Sequence, residues 1–257
     1  MGSIKSISFI GSGNVATHLS QALHNQGFII EQVFSRNIDH ALELAEKVDA
    51  LAVDNIANIN SSSDLYILAV KDDAIESTLR LINDKNIFIV HTSGSIGIDI
   101  FKETGFSDYG IFYPLQTFSK NKSVDFLEIP ICVEASYEEK LLIDIANQLS
   151  NLVYQVSSEQ RKKLHLAAVF ACNFSNYMYH VAEDICLQND VNFNILKPLI
   201  KETAQKISLN HPHEVQTGPA VRGDQKIIES HLDQLSENKN YQGIYRLITD
   251  NILKAKK

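Results

Sequence analysis

Phe9-Ile10-Gly11-Ser12-Gly13-Asn14-Val15-Ala16 decides the reading of this chain. It follows the apolar pattern of Ile4, Ile7, Phe9 and Ile10 and reads as strand, tight turn and helix start. Gly11 permits the sharp turn, Gly13 lets a backbone approach a pyrophosphate, and Ala16, in place of a third glycine, keeps the helix close to the sheet. Backbone N–H groups at the helix N-terminus would then face phosphates, where the helix dipole favours negative charge. The stretch therefore predicts a dinucleotide site, because the motif sits in the strand-turn-helix context that it requires.

Outward from that turn, Val15, Leu19, Ala22 and Leu23 mark one helix face, and Gly27 supplies a stop. Ile29 to Phe34 reads as the next strand, ending in Ser35-Arg36-Asn37. An acid at that strand end holds the ribose 2′-OH of NAD, whereas Arg and small polar groups suit the 2′-phosphate of NADP. The chemistry here favours NADP. Glu31 lies inside the strand and is the weaker ribose reader, and the bland alternative for Arg36 is a solvated surface charge.

Ile38 to Val48 reads as a short helix, Asn55 to Ser63 as a polar linker and Leu65 to Val70 as a strand. Lys71-Asp72-Asp73-Ala74-Ile75 opens another helix, with acids in its first turn. Ile87 to Val90 has the apolar character of a strand buried in a parallel sheet and ends in His91-Thr92-Ser93-Gly94-Ser95. Ligands of open α/β sheets lie outside the carboxyl ends of strands, so this polar cluster either faces the nicotinamide end of the cofactor or leaves His91 tied to a neighbouring loop. Ile111 to Phe118 and Ile129 to Val133 are expected as strands, with Pro114 at an edge or break. Leu141 to Leu149 has helical spacing, and Leu152 to Val156 closes the sheet.

The character of the sequence changes after residue 155. Ser157-Ser158-Glu159-Gln160 is a capping box that opens a long helix running through Glu183. That helix is apolar on nearly all faces, which predicts burial against another domain or a second subunit. Val191 to Ile207, Asp224 to Leu235 and Tyr241 to Lys254 complete a helical region. The expected fold is α/β: an N-terminal Rossmann domain, residues 1–155, with a mostly parallel doubly wound sheet, followed by an all-α domain, residues 156–257, for substrate and dimerisation.

His165, Val169, Cys172, Asn173 and Asn176 lie three or four apart, along one stripe of that helix. His165 could supply a proton to a carbonyl oxygen as hydride reaches carbon, with Asn173 orienting that oxygen. The alternative is a core histidine bonded to a backbone carbonyl. In Thr217-Gly218-Pro219-Ala220-Val221-Arg222-Gly223-Asp224, Arg222 could clamp a substrate carboxylate, or form an internal pair with Asp224 that shapes the loop.

The chain has 257 residues and a formal net charge of −8, without a basic run, which argues against phosphate-neutralising nucleic-acid binding. Cys132, Cys172 and Cys186 lack C-x-x-C spacing and read as buried thiols in a reducing cytoplasm. No signal peptide or membrane-spanning run is read. The opening Met1-Gly2-Ser3-Ile4-Lys5-Ser6 matches a myristoylation pattern, but Gly2 leads directly into the first strand. His211-Pro212-His213 lacks a third ligand, so no metal site is expected.

These motifs, with Leu68 to Ile75 and Tyr113-Pro114-Leu115-Gln116-Thr117-Phe118, resemble a bacterial family of Rossmann-like proteins with a helical C-terminal domain of unassigned function. Its members are provisionally labelled NADP oxidoreductases. The family is similar to the group containing ketopantoate reductase, pyrroline-5-carboxylate reductase and 6-phosphogluconate dehydrogenase. The resemblance implies a cofactor in the N-terminal domain, and the residues expected to hold NADP are Gly11, Ser12, Gly13, Asn14, Val15, Ser35, Arg36, Asn37, Val70 and Thr92. It also implies a small substrate in an interdomain cleft and a homodimer through the helical domain, and the residues expected to touch that substrate are His91, Ser93, Gln116, Asn176, Thr217 and Arg222. In ketopantoate reductase the interdomain helix offers a lysine with asparagines four and eight positions later. Here His165 takes the lysine position, Val169 the first asparagine and Asn173 the second, so either His165 replaces the lysine or the substrate differs. Reduction of a 2-oxo acid, best exemplified by ketopantoate, is the first expectation. Reduction of an imine, as in pyrroline-5-carboxylate reductase, and a non-catalytic NADP(H)-binding redox sensor are the alternatives.

Overall fold

The computed structural model describes residues 3–120 and 122–255, so Gly2 and its myristoylation pattern lie outside the described residues. The expected glycine turn joins β1 (Ser6–Ile10) to α1 (Asn14–Asn25). Then follow β2 (Ile29–Phe34), α2 (Ile38–Glu46), β3 (Leu51–Val53), β4 (Leu65–Leu68), α3 (Asp72–Leu81), β5 (Ile89–His91), α4 (Asp99–Glu103), β6 (Tyr109–Pro114), β7 (Ile131–Ala135), α5 (Glu139–Leu149) and β8 (Val153–Gln155). They form one eight-stranded sheet in the order β3-β2-β1-β4-β5-β6-β7-β8. Every adjacent pair is parallel except β6–β7, so the sheet is mostly parallel and doubly wound. Pro114 ends β6, where it needs no further ladder donor.

Side chains alternate across this sheet with the period of two that strands impose. Ile7, Phe9, Leu65 and Ile67 pack on one face with Leu19 and Leu23 of α1 and Leu142 and Ile145 of α5. Ile10, Tyr66, Leu68 and Ile89 pack on the other with Ile75 and Leu79 of α3 and Phe101 of α4. Both faces are covered, as near-continuous apolar strands demand. The order of the chain reverses between β1 and β4, the crevice at which such sheets bind ligands.

β3 was not foreseen. It has only three residues, and Leu51 is exposed, so neither a long apolar run nor clean alternation announces it.

After β8 come α6 (Ser158–Ala168), a π-helical segment (Val169–Phe174), α7 (Ser175–Gln188), α8 (Lys197–Leu209), α9 (Pro219–Arg222), α10 (Gln225–Gln234) and α11 (Lys239–Ala255). Ser157 and Gln160 form the expected capping box at the start of α6. The chain divides into two compact units, Met1–Cys172 and Asn173–Lys257, which assigns α6 to the sheet-bearing unit. In the second unit, the Tyr241 hydroxyl of α11 donates to the Asp184 carboxylate of α7, and His231 and Tyr245 are hydrogen-bonded at 2.9 Å.

Two expectations for the long helix need correction. Cys172 is exposed while Cys132 and Cys186 are buried, so it is not the buried thiol expected, and Phe170 beside it is 64% exposed. An all-round apolar composition shows what a helix can bury, and one chain offers no cover for these faces. The π segment also interrupts the 3.6-residue period, so the three-and-four spacing that defined a stripe from His165 to Asn176 does not run unbroken.

Candidate functional site

Gly11 is held at φ +121° with its N–H donating to the Phe34 carbonyl at 2.8 Å. A Cβ there would lie 2.3 Å from the Ala69 carbonyl oxygen, so only glycine fits the turn. Gly13 is different: it is the N-cap of α1, and a Cβ there would meet nothing within 4 Å. No side chain caps α1, and no acid occupies its first turn. The helix thus offers open N–H groups and an unopposed positive dipole end to an anion.

A cleft of about 760 Å³ lies along these strand ends. Gly11, Ser12, Gly13, Ser35, Arg36, Asn37 and Val70 line it, joining most of the foreseen cofactor residues. Arg36 is exposed and forms no ion pair with a described residue, leaving its guanidinium available for a phosphate. Asn37 caps α2 by accepting the Asp39 N–H at 2.9 Å. Lys71, Asp73, His40 and Thr78 also line the cleft, the first two from the stretch that opens α3.

Three foreseen residues stand outside the lining of this cleft. The Asn14 amide donates to the Phe118 carbonyl at 2.9 Å, Val15 packs on the core, and Thr92 is buried with its N–H bonded to the Leu68 carbonyl at 3.2 Å. The weaker ribose candidate, Glu31, accepts from Ser62 and Ser63 at 3.0 and 2.8 Å and does not line the cleft. The open helix end, the glycine cradle and the free arginine fit NADP.

At the next strand ends, His91 is wholly buried and stacked on Phe101. Its Nδ1 accepts the Ser93 N–H at 3.1 Å, while Nε2 has no partner among the described residues. Burial, assisted by the nearby Arg161 charge, pushes the imidazole down to about 3 and keeps it neutral. Ser93 Oγ accepts the N–H groups of Ser95 and Ile96, both at 3.0 Å. His91 and Ser93 therefore build the loop after β5.

That loop brings Gly94 against two side chains. A Cβ on Gly94 would lie 2.6 Å from His165 Nδ1 and 2.9 Å from Tyr113 Cζ. Tyr113, at the end of β6, hydrogen-bonds His165 Nδ1 through its hydroxyl at 3.0 Å. Burial pushes the Tyr113 phenol up to about 12, so it stays protonated. Thus His165 is bonded to a tyrosine hydroxyl rather than to a backbone carbonyl. The partner was missed because Tyr113 reads from sequence as one more strand residue. Gln116 is exposed and its side chain accepts the Thr117 N–H at 2.8 Å.

In the helical unit, Asn173, Asn176 and Thr217 are exposed. Arg222 pairs with Asp224 at 2.8 Å through both Nε and a terminal nitrogen, which is the internal pair foreseen as its alternative role. Among the described residues, no group of three or more His, Cys, Asp or Glu side chains is arranged to hold a metal. Nor is any described helix long and apolar enough to cross a membrane.

Comparison with known families finds two matches: NADP oxidoreductase, coenzyme F420-dependent, over residues 6–94, and a domain of unknown function (DUF2520) over residues 129–252. A Bacteroides fragilis protein provisionally classed as an NADP oxidoreductase is 44% identical, with a TM-score of 0.91 and 98% of each chain covered. The chain belongs to this NADP oxidoreductase family. It is an NADP-dependent oxidoreductase with a Rossmann domain and a helical C-terminal region. Two more distant structures share the fold. An imine reductase from Myxococcus stipitatus, in complex with NADP+, is 16% identical with a TM-score of 0.66, covering 97% of this chain and 92% of its own. A pyrroline-5-carboxylate reductase from Coxiella burnetii is 16% identical with a TM-score of 0.61, covering 99% and 98%. No curated protein matches the chain.

Proposed function

We propose that the enzyme reduces the carbonyl of a small 2-oxo acid, with ketopantoate as the named candidate and His165 as the proton donor. The observation that carries this reading is the Tyr113–His165 hydrogen bond of 3.0 Å, packed against Gly94 at the carboxyl ends of β5 and β6. NADPH, when bound, supplies the hydride. As the general acid, His165 would carry a proton on each ring nitrogen, its Nδ1–H donating to the Tyr113 hydroxyl oxygen and its Nε2–H passing to the substrate oxygen, which leaves a neutral imidazole. The carbonyl carbon thus gains hydride, its oxygen gains the proton, and a 2-hydroxy acid results. Asn173 would orient the oxygen, and Asn176, Thr217 and Arg222 would hold the rest of the substrate.

Arg36 is assigned the 2′-phosphate, supported by its place in the cleft and its lack of an acidic partner among the described residues. Arg36→Ala should weaken NADPH binding about tenfold to a hundredfold, the effect of one or two charge-assisted hydrogen bonds, while NADH binding stays unchanged. An equal loss for both cofactors would remove Arg36 from that role. A second copy of the chain is the proposed partner of the apolar side chains exposed along α6, the π segment and α7, including Leu166, Phe170 and Leu187. Unpaired Cys132 and Cys186, both buried, accord with a reducing cytoplasm.

One observation favours a second substrate class. Arg222 is already engaged by Asp224, which weakens the case for a carboxylate clamp and favours a cyclic imine without a carboxylate. NADPH oxidation, followed by absorbance with ketopantoate, other 2-oxo acids and cyclic imines, separates the two. Within the productive class, His165→Ala should bind NADPH normally and lose at least about a hundredfold in kcat, the usual contribution of a general acid. Retained turnover would end the proton-donor assignment.

A further inference from the structure

We infer that Arg161 is a positioning residue, whose buried guanidinium fixes the Tyr113–His165 pair by binding α6 to the loop after β5. The inference rests on the proposed role of His165 and extends it to a side chain that touches neither substrate nor cofactor.

Arg161 is completely buried, which is rare for arginine unless its donors are matched. Here they are. Nε donates to the Ser93 carbonyl at 3.1 Å, one terminal nitrogen donates to Glu134 on β7 at 2.7 Å, and the other donates to the Ile96 carbonyl and to Ser158 Oγ. Ser158 extends the same joint: its hydroxyl donates to Glu134 at 2.7 Å and accepts the Ile98 N–H at 2.9 Å.

The geometry connects this joint to the reacting pair from both sides. Ser93 and Ile96 flank Gly94, the residue whose missing Cβ admits His165 and Tyr113. His165 follows Arg161 by one helical turn, so the two project from the same side of α6. Fixing the Ser93 and Ile96 carbonyls to Arg161 therefore sets the height of α6 over the loop and the reach of His165 to the Tyr113 hydroxyl. A buried ammonium could retain the charge but could not reproduce the planar fork that serves four acceptors. The joint also gives a physical reason for α6 to belong to the sheet-bearing unit.

The test uses the full-length protein with NADP added. Nitrogen-15 NMR of the His165 ring reports its tautomer and its hydrogen bond without requiring turnover. In Arg161→Lys, and more weakly in Ser158→Ala, the ring nitrogens should shift toward values of a histidine that has lost its tyrosine partner, with the far-ultraviolet circular dichroism unchanged. NADPH affinity should stay within twofold and kcat should fall at least tenfold. Ser158→Ala involves no charge and keeps the test decisive if Arg161→Lys does not fold. Wild-type ring shifts in the folded variants would overturn the positioning role. If the shifts move while His165→Ala remains fully active, the positioning role stands and the proton-donor assignment fails, so the two outcomes are distinct.

Discussion

The two units treat their apolar side chains in opposite ways. In the sheet-bearing unit Ile7, Phe9, Leu65, Ile67 and Ile89 are all fully inaccessible, and helices cover both faces of the strands. In the helical unit the buried apolar residues among those described are Cys186, Ala220 and Ile228, while Leu187, Ile195 and Leu199 stand at 67, 70 and 63% exposure. A parallel sheet generates its own cover, because each crossover lays a helix on a face. Helices such as α7 and α8 have no such obligatory partner within a chain, and the proposed second copy would cover their apolar faces. The first unit should therefore fail by local steric damage, the second by loss of a partner.

The sharpest break in the first unit is Gly11→Ala. The added Cβ would sit 2.3 Å from the Ala69 carbonyl oxygen, at a φ of +121° that alanine avoids. Backbone strain of this kind costs about 1–3 kcal/mol before the clash is counted. Both thermal stability and NADPH affinity should fall, the latter at least tenfold by fluorescence titration. Gly13→Ala should separate these effects: its Cβ meets nothing within 4 Å and its φ is −77°, so stability should hold while the occupied pyrophosphate space costs affinity. Equal thermal losses in the two variants would break the distinction between a packed turn and an open cradle.

For the helical unit the matching test is Leu187→Glu. Leu187 is 67% exposed in the single chain, so the substitution is harmless to a monomer but costly within an apolar interface. Losing the burial of one leucine in each copy removes about 3 kcal/mol or more, over a hundredfold in the association constant. Light scattering should show the native protein as a dimer and the variant as a monomer at micromolar concentration, with NADPH binding retained. A native monomer, or a variant that stays dimeric, would place the interface elsewhere.

How much the sequence disclosed follows the same division. Glycine turns and long apolar strands are local signals, so the Rossmann half and most of its cleft were legible from Gly11, Gly13 and Arg36. Arg161 was not, because a lone arginine in the first turns of a helix looks solvated until the Ser93 and Ile96 carbonyls are brought to it from over sixty residues away. Tyr113 was hidden for the same reason. Nothing in Val169 to Phe174 announces a π segment, and the apolar composition of that helix does not tell which element covers it.

A smaller effect comes from His91. Its folded-state pKa of about 3 lies below the ordinary value near 6.5, so the unfolded chain takes up the proton first as pH falls. The neutral buried ring contributes its full stability above about pH 6.5, and that contribution is lost progressively toward pH 3. Between pH 7.5 and 5 the loss from this group should be about 2 kcal/mol. Urea unfolding of His91→Phe, which keeps a ring beside Phe101, should show a pH dependence smaller by that amount. An unchanged slope would mean that other groups carry the acid sensitivity.

The smallest expected change is at Arg222, against a large one at Arg161. Arg161 is sealed inside the first unit, and leaving its Glu134 partner unpaired should cost about 3–5 kcal/mol. Arg222 is 61% exposed and its Asp224 partner 37%, so water screens their attraction and Arg222→Ala should change stability by less than about 1 kcal/mol. That near-silence makes the variant a clean probe of recognition. If Arg222 leaves Asp224 to hold a substrate carboxylate, KM for a 2-oxo acid should rise about tenfold with the melting temperature unchanged, since the lost contact is charge-assisted. If KM is unchanged, the pair merely shapes its loop, the carboxylate clamp is withdrawn, and the balance moves to the cyclic imine.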